Sequence, residues 1–283
     1  MAGGLSSIVL GQEGSVPRRG DQLLPGRVAV VTGGSSGIGR AVAAKLLEHG
    51  VHVALVGRTP DRVEAAVAAL RASVRPPAEI LPLTLDVRRE DHVQRMADET
   101  INRFGRVDLL VAAAGVARGA SSVHVLPYPV VQTTASDWDA VVETNLRGTF
   151  LTNRAVLPMM IQQRAGTIVN VSSSPGGYRG QAFAAAYCAS KFGVRGLTEA
   201  LASEVADQGI RVHAILPDAI DTPMLDRSTL ANRLGSPLPP ERVADLVFML
   251  WTLPSDTCVV EPVLMPARRP AADEINRRVS RRE

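Results

Sequence analysis

Cysteine and long apolar runs are scarce in this chain of 283 residues. The two cysteines, Cys188 and Cys258, are too few for a disulfide framework and too widely spaced for a zinc site, so we expect no metal. The longest apolar run, residues 109–117, is about half of the ~18 residues that a membrane helix needs. The first ten residues lack the basic start of a signal peptide. These absences favour a cytoplasmic protein that does not contact membranes.

Lysine is also nearly absent. Lys45 and Lys191 are the only two lysines among 31 basic residues, and all the others are arginine. Lysine offers a compact ammonium group on a flexible stem, whereas arginine presents a planar fork. Each of the two lysines is therefore a candidate for a role that arginine fills poorly.

Acidic and basic residues nearly balance. The formal net charge is only +3, although the pI is about 9.2. Residues 267–283 hold six arginines against three acidic residues, so this tail alone supplies +3 and residues 1–266 are formally neutral. A neutral body lacks the basic surface typical of nucleic-acid binding, and we expect no such partner. We interpret the tail as a solvated chain end.

Short apolar runs alternate with helical patterns from Arg27 to about residue 265. The predicted strands are residues 28–31, 51–56, 80–85, 107–113, 167–171, 211–216 and 258–264. The predicted helices are residues 40–50, 90–104, 136–163 (capped by Ser136), 184–208 and 240–253, with a further helix opening at Thr59-Pro60-Asp61.

Repeated strand–helix units imply parallel strands with helices on both faces. We therefore predict an α/β protein with a three-layer, doubly wound Rossmann fold and a mostly parallel sheet of about seven strands. The predicted catalytic domain spans residues 26–266. A flexible N-terminal extension, residues 1–25, precedes it, and the arginine-rich tail, residues 267–283, follows it.

A glycine-rich segment follows the first predicted strand. Residues 32–39 read Thr-Gly-Gly-Ser-Ser-Gly-Ile-Gly and open into a helix. Glycines let the backbone approach a phosphate closely, and a helix N-terminus supplies free N–H groups. The flanking strand and helix favour dinucleotide binding over a strand-to-helix turn without a ligand.

The spacing T-G-x-x-x-G-I-G resembles that of the short-chain dehydrogenase/reductase family, and the resemblance extends from about Arg27 to Arg269. It implies a nicotinamide-dependent oxidoreductase acting on a small carbonyl compound or alcohol, assembled as a homodimer or homotetramer. Together with the residue arguments below, it gives a set of expected cofactor contacts. These are Gly33, Ser35, Ser36, Gly37, Ile38, Gly39, Arg58, Thr59, Asp86, Val87, Ala113, Ala114, Gly115, Tyr187, Lys191, Pro217, Ile220 and Thr222.

The end of the second strand indicates the cofactor. In dinucleotide-binding folds an acidic residue about 20 residues past the glycines holds the ribose hydroxyls of NAD. Arg58 lies nineteen residues past Gly39, and the strand end has no carboxylate. A carboxylate would repel a 2′-phosphate, whereas a guanidinium grips it with two charge-assisted hydrogen bonds. We predict NADP(H); the alternative is a solvated loop arginine.

Three positions are ambiguous or depart from the family pattern. Asp86 stands where the family contacts the adenine amino group, although a turn or helix-capping role is as consistent. Residues 112–115 read Ala-Ala-Ala-Gly instead of the usual Asn-Asn-Ala-Gly, which predicts a less firmly tied loop without loss of activity. Asp218 replaces the usual glycine after Pro217, and we expect a reshaped loop or pocket entrance.

Tyr187 and Lys191 form the strongest catalytic signal, because residues at i and i+4 share one helix face. Moving a phenol from a pKa near 10 to about 7 requires about 4 kcal/mol of phenolate stabilisation. An ammonium group about 6 Å away supplies roughly 3 kcal/mol at an effective dielectric of ~20. The pair therefore suits proton transfer, and an exposed Tyr–Lys pair without function is the weaker alternative.

A catalytic serine and an asparagine complete the expected set. The family places a Ser at the end of the fifth strand, where it donates to the substrate oxygen. The spacing to Tyr187 that is commoner in the family would give Ser174. We predict Ser173, because the strand end fixes the side-chain direction and the loop can absorb one extra residue, and Ser174 is the alternative. Asn145 lies within a predicted helix, where the family has an Asn that holds a water in a proton relay with the Lys.

The predicted function is an NADP-dependent oxidoreductase that interconverts a carbonyl group and a secondary alcohol by hydride transfer, with Tyr187 as acid and base. The alternative is a catalytically silent dinucleotide-binding sensor or scaffold. The substrate stays open, because the apolar stretch 123–131 is consistent with either a pocket wall or a subunit contact.

Overall fold

The structure is a computed structural model that describes residues 24–117, 129–226, 237–254 and 256–267. The predicted N-terminal extension (except Leu24 and Pro25), most of the apolar stretch 123–131 and all but the first residue of the arginine-rich tail lie outside these residues. The domain boundaries drawn from the sequence stay predictions.

Seven strands form the sheet. They are β1 Val28–Thr32, β2 His52–Gly57, β3 Ile80–Thr84, β4 Leu109–Ala112, β5 Gly166–Val171, β6 Ile210–Pro217 and β7 Val263–Leu264. The helices are α1 Gly37–Glu48, α2 Pro60–Leu70, α3 Glu90–Phe104, α4 Ala135–Val142, α5 Gly148–Gln163, α6 Ser174–Gly177, α7 Ala185–Glu204, α8 Pro223–Asp226 and α9 Glu241–Thr252. A π-helical turn, Glu143–Arg147, joins α4 to α5.

The sheet is entirely parallel, in the order β3-β2-β1-β4-β5-β6-β7. This confirms the predicted doubly wound fold. The chain moves outward from β1 to β3 on one side and from β4 to β7 on the other, so the winding direction reverses between β1 and β4. Ligands of open parallel sheets bind in the crevice at the carboxyl ends of the strands beside such a reversal.

Two hydrophobic cores cover the two faces of the sheet. One core joins α1, α2 and α9 to the sheet through residues such as Leu46, Val63 and Leu250. The other joins α3, α5 and α7 through residues such as Met96, Met160 and Leu201. All residues of β1 and β4 are buried, in accord with their sequences, which are apolar except for Thr32 at the end of β1. Within the described residues, no helix combines the length and hydrophobicity of a membrane span.

Several predicted helix boundaries were wrong. The helix after the glycines begins at Gly37 rather than Arg40, since the glycine turn leads directly into it. The cap of α4 is Thr134, whose hydroxyl accepts a hydrogen bond from the backbone N–H of Asp137, and not Ser136. The long helix predicted over residues 136–163 is interrupted by the π-helical turn.

The last strand is much shorter than the predicted residues 258–264. Only Val263 and Leu264 pair with β6. Glu261 has a backbone φ of 53°, outside the β region, and Pro262 has no N–H to donate to a ladder. Together they delay the start of β7.

Candidate active site

The glycine turn lies at the crevice between β1 and β4. Gly33 has φ 68°, and a Cβ there would lie 2.8 Å from the carbonyl oxygen of Ala113. A Cβ at Gly39 would collide with the backbone of Gly33. Only glycine at these two positions leaves the turn this tight, and Ile38, next to Gly39, packs against the core.

The N-terminus of α1 opens towards this turn. Its N-cap Ser36 makes no side-chain capping hydrogen bond, and the first turn has no acidic residue. The free N–H groups and the positive end of the helix dipole suit an anion such as a phosphate. Thr222, after β6, contacts Gly37 with its methyl carbon, 3.0 Å from a Cβ built there. Two predicted cofactor residues from distant segments therefore meet at the helix N-terminus.

Arg58 lies at the exposed end of β2. The hydroxyl of Ser35 is 3.1 Å from a Cβ built on Gly57, so the glycine turn reaches the backbone next to Arg58. The positive charge of Arg58 also contributes to lowering the pKa of Asp86. Thr59 is the N-cap of α2, with no side-chain capping hydrogen bond. Ser35 thus lies beside the backbone that carries Arg58, and a hydroxyl and a guanidinium are groups that can bind a phosphate ester.

The carboxylate of Asp86 is already engaged by its neighbour. Arg88 donates to it from Nη2 at 2.6 Å, from Nε at 3.0 Å and from its backbone N–H at 3.0 Å. Burial on its own would raise the pKa of Asp86, but the hydrogen bonds from Arg88 hold it below its usual value. The contacts of Asp86 are therefore those of a turn residue, as in the second of the two roles considered from the sequence. The adjacent Val87 packs against Gly148.

Tyr187 and Ser173 lie side by side at the end of β5. The Ser173 side chain lies near enough to affect the titration of the Tyr187 phenol, and the ring of Tyr187 packs on Gly176, where a Cβ would lie 2.8 Å from ring carbons. Burial raises the pKa of the Tyr187 phenol, and the Ser173 side chain opposes this. The shift is opposite to the lowering that the sequence argument requires, because burial penalises the phenolate.

Lys191 is 6% exposed and donates from Nζ to the carbonyl oxygen of Val171 at 2.7 Å. Nζ lies 5.8 Å from the centroid of the Tyr187 ring. Burial lowers the pKa of Lys191 to about 8. The other lysine, Lys45, forms a surface ion pair with Asp245 at 3.1 Å.

Asn145 connects the loop after β4 to α7. Its side chain is fully buried in the π-helical turn, accepts from the Val116 N–H at 2.8 Å and donates to the Val116 carbonyl oxygen at 2.9 Å. It also donates to the hydroxyl of Ser190 at 3.0 Å. A Cβ at Gly115 would lie 3.3 Å from Oδ1 of Asn145 and 3.6 Å from Nζ of Lys191. The amide therefore ties a loop for which the sequence predicted weak anchoring.

The remaining predicted residues border the same crevice. Ala114 donates its N–H to the hydroxyl of Thr32 at 3.2 Å. Pro217 ends β6, and Ile220 forms an isolated bridge with Leu238. Asp218 donates its backbone N–H to the Leu264 carbonyl oxygen at 2.8 Å, so this departure from the family pattern lies beside β7.

Sequence reasoning missed three hydroxyls that support the site. Besides Thr32, Ser172 donates to the carbonyl oxygen of Lys191 at 2.9 Å, and Ser190 donates to that of Tyr187 at 2.7 Å. Two of these hydroxyls could have been suspected from the sequence, because Ser172 is next to Ser173 and Ser190 is next to Lys191. Their bonding partners lie on other segments or on the next helical turn, which spacing alone does not reveal.

Comparisons with known proteins show the family of this chain. The family model described as short chain dehydrogenase matches residues 27–232. The chain belongs to the short-chain dehydrogenase family. It is 35% identical over 235 residues to the 3-oxoacyl-(acyl-carrier-protein) reductase FabG of Thermotoga maritima, covering 80% of this chain and 91% of that protein. It is 41% identical over 202 residues to the levodione reductase of Leifsonia aquatica, covering 71% and 72%.

Solved structures resemble this short-chain dehydrogenase over most of its length. A metagenomic short-chain oxidoreductase in complex with NADP gives a TM-score of 0.70 at 31% identity, covering 87% of this chain and 99% of that one. A 3-ketoacyl-(acyl-carrier-protein) reductase from Brucella melitensis complexed with NADH gives a TM-score of 0.76 at 28% identity, with the same coverage. The neighbours include both cofactors, so the preference of this short-chain dehydrogenase depends on its own residues.

Proposed function

We propose that this oxidoreductase uses NADP(H) to interconvert a carbonyl group and a secondary alcohol. The observation that supports this most strongly is the cluster of Ser173, Tyr187 and Lys191 at the carboxyl edge of the sheet, next to the glycine turn. The cofactor fits the residues present, because side chains at Gly33 or Gly39 would fill the turn, and the N-terminus of α1 is free of acidic residues. When bound, the nicotinamide would supply hydride to the substrate carbon or accept it.

The hydroxyls of Ser173 and Tyr187 bind the carbonyl oxygen of the substrate, and Tyr187 gives that oxygen its proton. Because burial raises the pKa of the phenol, Tyr187 is protonated at neutral pH, as reduction of a carbonyl requires. Lys191 has a pKa of about 8 and is mostly protonated at neutral pH. Its ammonium stabilises the phenolate that remains after proton transfer.

Asn145 keeps the loop after β4 close to Lys191 through its two bonds to Val116. In the mechanism we propose, this anchoring leaves Gly115 and the ammonium facing the same space. A water bound beside the amide would return a proton to Lys191, as the family resemblance implies. Asn145 therefore acts on proton supply and on loop position, and it does not contact the carbonyl oxygen.

The test of this function is NADPH oxidation with a 3-oxoacyl thioester and a panel of simple ketones and aldehydes. Tyr187→Phe removes only the hydroxyl, and we expect kcat to fall about 100-fold or more, within the usual range for a positioned acid–base group. Binding of NADPH should stay within about threefold, because the ring and its contact with Gly176 remain. Binding of NADPH without oxidation above the Tyr187→Phe background in any class would favour the silent-sensor alternative.

The cofactor preference has its own test. Arg58→Asp should lower the NADPH-to-NADH ratio of kcat/KM about ten- to 100-fold, because the carboxylate replaces charge-assisted hydrogen bonds with repulsion. Arg62→Asp is the matched control, since Arg62 is also exposed and undergoes the same change of charge on α2. An unchanged ratio in Arg58→Asp, or an equal fall in both variants, would contradict the assignment.

A further inference from the structure

Arg195 lies on α7, one helical turn past Lys191, and connects three segments of the chain. Nε and Nη2 donate to the two carboxylate oxygens of Glu261 at 2.6 and 2.5 Å, in a bidentate pair. Nη1 donates to the carbonyl oxygen of Gly177 at 2.5 Å. Both charged side chains are only 19% exposed. One guanidinium thus joins α7, the segment before β7 and the last residue of α6.

Glu261 holds its side of this pair from an unfavourable backbone conformation. Its φ of 53° lies in the left-handed region, which is unfavourable for a residue other than glycine. Such a conformation persists only where the surroundings enforce it. Here the carboxylate that the conformation presents is the one that holds Arg195. A half-buried ion pair is by itself weak evidence for a gain in stability. The left-handed backbone at Glu261 is therefore not explained by stability alone, and a role of the pair in the active site would account for it.

The turn that Arg195 holds is the one that carries the catalytic hydroxyl. Ser173 is the N-cap of α6, and Gly176 packs on the ring of Tyr187. A Cβ at Gly177 would collide with the hydroxyl of Ser172 and would lie 3.3 Å from the carbonyl oxygen of Lys191. A shift of the Gly177 carbonyl would therefore also move Gly176, on which the Tyr187 ring packs, and the backbone that leads back to Ser173.

We propose that Arg195 and Glu261 form a clamp that sets the position of residues 173–177 against Tyr187. Both are positioning residues, because their charged groups are spent on each other and on the Gly177 carbonyl. The inference rests on the proposed function for its kinetic consequence, but its structural consequence at Tyr187 is independent of any substrate. A displacement of about 1 Å at a reacting group can cost about 100-fold in rate, so a modest shift of the turn is enough to be measured.

Glu261→Gly separates positioning from stability. Glycine relieves the left-handed backbone, which offsets part of the loss of the ion pair, so the unfolding temperature should fall only slightly. We expect kcat for reduction of the active 3-oxoacyl thioester or ketone to fall about tenfold, with KM for NADPH within about twofold. Arg195→Lys should behave similarly, because one ammonium cannot reproduce the bidentate pair and the bond to Gly177. Glu79→Gln, which disrupts the exposed pair with Arg103, is the control and should change neither value.

The titration of Tyr187 gives a readout without a substrate. The ultraviolet difference spectrum of tyrosinate, with that of the matching Tyr187→Phe protein subtracted, isolates this phenol from the two other tyrosines. The Ser173 side chain favours the phenolate, so release of the turn should move the titration of Tyr187 to higher pH in Glu261→Gly and not in Glu79→Gln.

The two readouts distinguish failure of the clamp from failure of the proposed function. If the titration moves but the native protein reduces no carbonyl compound, the function is wrong and the clamp stands. If neither kcat nor the titration changes in Glu261→Gly, the clamp is wrong. A loss of kcat that merely accompanies a lowered unfolding temperature, with the titration unmoved, would also overturn it and assign the pair an ordinary structural role.

Discussion

The ammonium group of Lys191 is buried, and burial disfavours its charged form. The only other lysine is paired at the surface, whereas Lys191 has one described protein partner for its Nζ, the carbonyl oxygen of Val171. Lysine tolerates a lowered pKa in such a place, whereas an arginine guanidinium stays charged and requires more donor partners. The scarcity of lysine in the sequence therefore drew attention to Lys191, which is buried and has a lowered pKa.

The stability of the protein should reflect this burial. The pKa of Lys191 is about 8 in the folded protein and about 10.5 in the unfolded chain, so between these values the unfolded chain binds the extra proton. The free energy of unfolding must then rise with pH across this interval. Below the interval the folded protein bears the full cost of burying the charged ammonium group. Between about pH 7 and about pH 10 the free energy of unfolding should rise by roughly 2 kcal/mol more in the native protein than in Lys191→Met. Urea titrations of both proteins measure this difference, and a difference independent of pH would contradict it.

Ser173 and Ser174 present a choice that the structure makes testable. Ser173 lowers the pKa of the Tyr187 phenol against the effect of burial, whereas Ser174 is the first residue of α6. Ser173→Ala should lower kcat about 100-fold, as loss of one oxyanion donor does, and Ser174→Ala should remain within about threefold. Steady-state kinetics of the two variants decide the matter, and the reverse order would reassign the donor to Ser174.

At the scale of elements, the start of α4 shows how a cap is chosen. Thr134, Ala135 and Ser136 offer two hydroxyls, and the backbone places Thr134 in the extended conformation of a cap. Its hydroxyl receives the Asp137 N–H at 3.1 Å and donates to the Asp137 carboxylate at 3.0 Å. A capping box shares the first of these bonds, but its second bond runs from the backbone N–H of the N-cap residue, whereas here the hydroxyl of Thr134 is the donor.

Thr134→Ala should therefore lower the free energy of unfolding by about 1 kcal/mol, the usual value of such a cap. The matched control is Ser136→Ala, because Ser136 is exposed and lies within the first turn of α4. We expect the control to stay within about 0.5 kcal/mol of the native protein in chemical denaturation. Equal effects of the two variants would be inconsistent with the assigned cap.

At the scale of the whole molecule, large apolar side chains remain exposed on one side of the sheet. Trp138 on α4, Phe150 on α5 and Phe192 on α7 are each about 40% exposed, and α4 packs beside α7. If these side chains form one continuous patch, they are suited to a contact between subunits. Such a patch would support the prediction of a homodimer or homotetramer, which no described contact tests.

Sedimentation should therefore give a mass that is two or four times 30.0 kDa. Phe150→Arg introduces a charge into the exposed apolar side and should shift the protein to a smaller species at the same concentration. A native protein that sediments as a single chain would contradict the prediction of an oligomer.

Much of the fold was predictable, because strand–helix alternation is written in local apolar patterns. The unbroken apolar run of β4 and the glycines after β1 predicted a buried parallel strand and a phosphate-binding turn, and the sheet confirms the first. The exceptions were local. The π-helical turn around Asn145 and the left-handed Glu261 depend on contacts with Val116 and Arg195, which lie 29 and 66 positions away in sequence.

The sequence by itself determined the order of strands and helices, the glycine turn and the identity of the candidate catalytic residues, because periodicity and motif spacing are local properties of the chain. The tertiary structure alone decided which hydroxyl meets Tyr187, how strongly Lys191 is buried and what holds the turn after Ser173. All three properties depend on side chains from separate segments of the chain that are buried next to one another. Desolvation and hydrogen bonding act there only once the parallel sheet has brought its carboxyl ends together.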